Sequence, residues 1–210
     1  MIKGIEINCH SSIKIKKNKT IYIDPFKILD NYKDADLILI THSHYDHFSK
    51  EDIEKVKKED TIIVITKDLK QRTLELGFND SKIKIVKPND EISINDINIK
   101  TIVAYNLNKK FHPKENEWVG YLITIEGITY YIAGDTDLNE ENKKVKCDVA
   151  FVPVGGTYTM TSKEAAELVN MIKPNIAVPT HYGDIVGIKQ DGEDFKQMVN
   201  NGINCEILIK

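Results

Sequence analysis

Only three cysteines occur in the 210 residues, Cys9, Cys147 and Cys205, and none belongs to a CxxC pair. An odd, widely spaced set excludes a disulfide framework and a thiolate zinc site and fits a reducing compartment. No apolar run approaches the roughly 20 residues needed to span a bilayer. No basic segment followed by a long apolar stretch is visible near Met1, so no signal peptide is expected and the expected location is cytoplasmic. A surplus of basic charge is also missing. The net charge is −3, and the lysines are interrupted by acids, as in Lys50-Glu51-Asp52 and Lys57-Lys58-Glu59-Asp60. Solvated helix faces explain that pattern, which disfavours nucleic acid and a membrane as partners. GxSxG, Walker and Rossmann fingerprints are absent, so no serine nucleophile or nucleotide loop competes for the chemistry.

What remains is ordinary for a soluble α/β unit: 41% hydrophobic residues, enough for a sizeable core, and 29% charged residues. Ile5-Glu6-Ile7, Ile13-Lys14-Ile15 and Ile21-Tyr22-Ile23 alternate with the strand period. Leu37-Ile38-Leu39-Ile40 is continuously apolar, as in a strand buried on both faces. Ser49-Lys50-Glu51-Asp52 predicts a capped helix running to Lys57, Thr61 to Ile65 a strand, and Lys67 to Leu76 a helix closed by Gly77. Ile83 to Val86 reads as a strand. Strand pairs flank Asn95-Asp96 and Glu126-Gly127, and Val149 to Val152 reads as a buried strand. Thr161 opens a helix stopped at Pro174, followed by a strand over Ile176 to Val178. A short helix over Phe195 to Val199 and a last strand over Ile203 to Ile209 complete the pattern. No Pro/Gly/Ser-rich linker divides the chain, so residues 1–210 are expected to form one domain with two packed sheets and helices.

The densest chemistry lies in Thr41-His42-Ser43-His44-Tyr45-Asp46-His47. Imidazole nitrogen and carboxylate oxygen suit zinc, manganese and iron(II). His42 and His44 lie two apart, so in extended chain they point the same way, and Asp46 and His47 can face the same space from a turn. Such a site needs ligands from elsewhere, placed just after strands. Asp135, in Gly134-Asp135-Thr136-Asp137, and His181, in Pro179-Thr180-His181-Tyr182-Gly183, both qualify.

These segments resemble the metallo-β-lactamase superfamily, in particular small zinc-dependent hydrolases akin to ascorbate-6-phosphate lactonase. The similarity runs from Cys9-His10-Ser11-Ser12 through Asp24-Pro25 to the region of His181. It implies a four-layer αββα sandwich with two divalent ions, zinc foremost, with manganese or iron as alternatives. By the same resemblance His42 and His44 match ligands of the first ion, Asp46, His47 and His181 those of the second, and Asp135 the bridging carboxylate. A histidine that many members carry near mid-chain is missing from Ile102-Val103-Ala104-Tyr105-Asn106. His112 is either the replacement ligand, a substrate-facing residue, or outside the site. His10, Tyr105, Asn106 and Thr157 are candidates for substrate contact or for supporting the ligands, although a hydrogen-bonded core histidine and a plain turn are the alternatives for His10 and Thr157. Asp24 either anchors the ligand loop or orients a histidine through its distal nitrogen.

Two ions sharing a hydroxide would supply a nucleophile near neutral pH and clamp an oxygen of the scissile group. The expected activity is hydrolysis of an ester, lactone or phosphoester of a small molecule, with Asp46 positioning the nucleophile or accepting its proton. Non-haem iron redox chemistry, a nuclease and a regulatory protein with a vestigial site are the competing readings. A homo-oligomer stays open.

Overall fold

The computed structural model describes residues 3–209. The chain divides into two compact units, one ending at Val86 and the other spanning Lys87–Leu208. Each is built on its own mixed sheet.

In the first unit the order is β1 (Ile5–Ile7), β2 (Ile13–Lys16), β3 (Thr20–Ile23), β4 (Ala35–Leu39), β5 (Lys57–Thr66) and β6 (Ile83–Val86). The first three strands form an antiparallel meander, and β3 to β6 run parallel. Parallel neighbours need a crossover. Helix α1 (Lys50–Val56) therefore joins β4 to β5, and α2 (Lys70–Leu74) joins β5 to β6. Ser49 caps α1 through the Asp52 amide, and the Asp52 carboxylate accepts from Ser49 Oγ at 2.6 Å and from the Lys27 and Ile28 amides. The predicted helix from Lys67 is a 3₁₀ turn followed by α2, and the positive φ of Gly77 (74°) ends it with a bond to the Leu74 carbonyl. One face of the sheet presents Tyr22, Ile38, Ile63 and Ile65, and these pack with Phe48, Ile53, Val56 and Leu69. The alternate residues Ile21, Ile23, Leu37, Leu39 and Val64 are equally buried, which is why this stretch reads as continuously apolar.

The second unit has strand order β13 (Asn204–Cys205), β12 (Ile176–Thr180), β11 (Val149–Pro153), β10 (Ile128–Ile132), β9 (Val119–Ile125), β8 (Ile97–Val103), β7 (Glu91–Ile94). Strands β7 to β10 are antiparallel hairpins, and β10 to β13 are parallel. The β9–β10 turn holds Glu126 and Gly127 at φ 52° and 75°, the paired left-handed residues of a twist-compatible two-residue hairpin. Helix α3 (Ser162–Ile172) begins with a full capping box between Thr161 and Glu164 and buries Ala165, Leu168, Val169 and Ile172. Together the described residues make a mixed α/β fold of two mixed sheets and four α-helices. None of those helices is long and apolar enough to cross a membrane.

Besides the Lys67 helix and β5, which starts at Lys57 rather than Thr61, two further expected elements differ. Helix α4 (Gln190–Met198) starts five residues before Phe195. Its first turn contains Gly192, where a Cβ would lie 2.5 Å from the Tyr182 hydroxyl; the glycine that close packing demands is the residue that hides the helix in the sequence. The last strand pairs only at Asn204 and Cys205 rather than over Ile203 to Ile209. The Ala177 carbonyl accepts from the Glu206 amide, so Pro179, two residues on, turns its missing N–H toward the same edge and stops the ladder.

Candidate metal centre

In the first unit every candidate residue sits just beyond a strand. His10 follows β1, Asp24 follows β3, and the His42 to His47 run follows β4. His10 and Asp24 hold φ values of 50° and 45°, a region that L residues adopt at a cost and that clusters at functional sites. Asp24 is fully buried. One of its oxygens accepts from the Thr41 amide at 2.8 Å; the other accepts from Thr41 Oγ1 and His47 Nδ1, both at 2.7 Å. Burial pushes its carboxyl above the ordinary carboxylate value, and the His47 and Thr41 contacts pull against that. Arg72 steadies the far side of the loop by donating to the Ser43 carbonyl at 2.9 Å and lying over the Phe48 ring.

These bonds decide which nitrogen of two histidines carries the proton. His47 donates from Nδ1 to Asp24, so its Nε2 keeps a lone pair. Thr41 Oγ1 spends its proton on Asp24 and can only accept from His42 Nδ1, 3.0 Å away, which leaves His42 Nε2 with a lone pair as well. His47 Nε2 then faces Asp46 Oδ2 at 3.4 Å, and His10 Nε2 reaches the same oxygen at 3.2 Å. His42 Nε2 lies 3.0 Å from His44 Nδ1. A lone pair aimed at a buried carboxylate is the arrangement a divalent cation would satisfy, and nitrogen and oxygen donors of this kind suit one. The donor set fits a metal.

The second unit repeats the theme. Asp135 stands three residues after β10, beyond Gly134 at φ 66°, and His181 directly after β12 at φ 58°. His181 Nε2 is 3.0 Å and His112 Nε2 3.2 Å from the same Asp135 oxygen, with all three side chains buried. His112 therefore folds back to the carboxylate from the β8–β9 connection. Asn106 clasps that connection: its amide donates to the His112 carbonyl at 2.8 Å, and its side-chain Nδ2 lies 3.1 Å from His112 Nδ1 and 2.7 Å from the Tyr158 carbonyl. The Trp118 ring stands edge-on to His112 at 5.6 Å. Gly155 leaves room for the histidine turn, since a Cβ there would lie 2.3 Å from the His181 carbonyl oxygen.

Two sequence candidates stand apart from these clusters. Tyr105 is buried, but its hydroxyl donates to Glu141 at 2.9 Å, and burial followed by that bond raises its pKa. Its backbone, by contrast, ties to the Asp135 loop, accepting from the Asp137 amide. Thr157 is exposed in the Gly155 to Met160 loop, its amide bonded to the Gly155 carbonyl. Thr41 was missed by the sequence reading. A hydroxyl residue directly before a histidine cluster is the signal that could have found it, because ligand histidines need partners at their second nitrogen.

Comparison with known proteins adds a second line of observation. The family model described as Beta-lactamase superfamily domain matches residues 5–181. A UPF0173 metal-dependent hydrolase of Lysinibacillus sphaericus is 32% identical, covering 94% of this chain and 92% of its own. Among solved structures, a Parabacteroides distasonis protein assigned to the metal-dependent hydrolases superimposes with a TM-score of 0.83 at 35% identity, over 98% of this chain and 93% of that one. The metallo hydrolase Igni18 of Ignicoccus hospitalis gives 0.79 at 23% identity, over 98% and 94%.

Proposed function

The chain belongs to the metallo-β-lactamase superfamily and is a metal-dependent hydrolase, and on that footing we propose that it holds two divalent ions, zinc foremost, and hydrolyses an ester, lactone or phosphoester of a small molecule. His42, His44 and His112 would ligate one ion, Asp46, His47 and His181 the other, and Asp135 both. Support for this set comes from its chemistry, and from a family match over 5–181 that contains all seven residues. Bound divalent ions lower the pKa of water and polarise the oxygen of a scissile group. The remaining work falls to this chain's own groups. Asp46, whose Oδ2 lies 3.2 Å from His10 Nε2, would accept a proton from the attacking water. Asp24 keeps His47 in the tautomer that presents Nε2. The spacing of the cysteines supports a cytoplasmic setting.

The observation that carries the reading is the convergence of two imidazole Nε2 atoms on one Asp135 oxygen, repeated at Asp46. Elemental analysis of purified protein should find up to two equivalents of a divalent metal. Turnover of ester, lactone or phosphodiester probes should vanish with chelation. Asp46→Asn should lower turnover by roughly 10²–10⁴, the usual worth of a positioned proton acceptor, with an unchanged circular dichroism spectrum. A protein that binds no metal sinks the proposal, and oxygen consumption by an iron-loaded form without hydrolysis replaces it by redox chemistry.

A further inference from the structure

The second unit exposes apolar side chains on the connection that carries His112, a candidate ligand. Leu107 is 57% and Phe111 51% exposed, on the same connection as His112. The Phe111 ring meets Tyr158 edge-to-face with centroids 4.5 Å apart. Phe111 is the chain neighbour of His112, and the Asn106 amide bonds both the His112 ring and the Tyr158 carbonyl. One side chain thus holds the aromatic pair beside the candidate ligand. Of the three lysines on this connection, all among the described residues, Lys109 pairs with Asp137 and Lys114 with Glu141 at 2.8 Å, so the exposed Lys110 is the one cation left to meet an anion, against two exposed apolar side chains. The first unit, taken by itself, borders its cluster in the same way. Tyr45, between His44 and Asp46, is 65% exposed and meets Phe26 edge-on at 6.1 Å.

An exposed aromatic ring packed on a partly buried one beside a polar cluster offers a ligand an apolar surface to cover. We propose that Phe111 and Tyr158 form an apolar wall that selects the substrate, and that the substrate is a carboxylic ester or lactone bearing an aliphatic or aromatic group rather than a phosphoester. The proposal rests on the hydrolytic reading above. Hydrolysis would add water across the acyl carbon–oxygen bond, releasing an apolar carboxylic acid and an alcohol, or the hydroxy acid from a lactone, with no other co-reactant.

The test compares p-nitrophenyl acetate, p-nitrophenyl octanoate and bis-p-nitrophenyl phosphate on zinc-reconstituted protein, for the parent chain and Phe111→Ala. The octanoyl-to-acetyl ratio of kcat/KM should exceed one in the parent and fall about ten-fold in Phe111→Ala, the worth of covering a half-exposed ring. In parallel, octanoate is titrated into the metal-free protein by NMR. Its aromatic signals from Phe111 and Tyr158 should move, and acetate should leave them still. Esters cleaved without chain-length preference, with the ring signals unmoved, overturn the wall and leave the hydrolase standing. Preference for the phosphodiester likewise overturns it. If none of the three probes is cleaved while octanoate still moves the two rings, the apolar contact stands and the ester or lactone reading falls.

Discussion

Replacing Asp24 by Asn changes one atom and should weaken metal binding without touching a ligand. Asp24 accepts three hydrogen bonds, two of them on the oxygen that faces Thr41 Oγ1 and His47 Nδ1. An asparagine must put its NH₂ either there or against the Thr41 amide, so a donor meets a donor in both orientations. With NH₂ toward His47, the ring proton is driven to Nε2, and the lone pair meant for the metal is lost. Outer partners of this kind are worth about 10–100-fold in metal affinity, or about 1.4–2.7 kcal/mol. The lost charge-assisted bonds should also cost the metal-free protein about 2 kcal/mol, a fall of about 4–8 °C in melting temperature for a chain of this size. Asparagine is the right probe because position 24 holds φ 45°, which Asn tolerates and which would add about 1–2 kcal/mol of backbone strain to an alanine variant. Chelator competition gives the zinc Kd and differential scanning calorimetry the melting temperature. A lower melting temperature with a zinc Kd within two-fold of the parent would falsify the tautomer argument and reduce Asp24 to a loop brace.

Two further outcomes can be checked on the metal-free protein. Gly155→Ala should lower the melting temperature by several degrees, since a Cβ would sit 2.3 Å from the His181 carbonyl oxygen and 2.9 Å from Val186 Cγ2, and overpacking of this kind costs about 1–3 kcal/mol; an unshifted melt would mean the His181 turn yields without strain. Burial pushes the Cys147 thiol up to about 12 and the Cys205 thiol up to about 11, from an ordinary 9.0. At pH 8 the reactive thiolate should be about 10²–10³-fold scarcer than in the unfolded chain. Iodoacetamide labelling followed by mass spectrometry should show both partly buried cysteines alkylated correspondingly slowly, and rates equal to those in urea would contradict the raised thiol pKa.

Much of the fold is written in local patterns. The isoleucine alternation of β1 to β3 marks their faces. Ser49 and Thr161 announce helices because their hydroxyls cap them, and Glu126-Gly127 marks a hairpin because few residues accept two left-handed conformations in a row. The misread parts depend on partners far away in the chain. Helix α4 is obscured by a glycine that exists for Tyr182, and β13 is cut short by a proline on the neighbouring strand. The candidate site divides the same way. His42, His44, Asp46 and His47 advertise themselves by crowding, and Asp135 and His181 by their positions after strands. The inward fold of His112 rests on Asn106, six residues away, and the tautomers of His42 and His47 on Thr41 and Asp24. Such assignments depend on hydrogen bonds, which leave no periodicity to read.

His10, Asp24 and His181 share a left-handed backbone that glycine or asparagine would adopt more comfortably. At the two histidine positions, selection for a sturdier scaffold and selection for the proposed chemistry therefore pull in opposite directions, whereas at position 24 three accepted hydrogen bonds favour the aspartate on both counts. A library ranked by heat resistance alone would drift away from imidazole at the two histidine positions and would recover well-folded, inert proteins. Engineering this chain for robustness should leave those three positions fixed and seek its gains elsewhere.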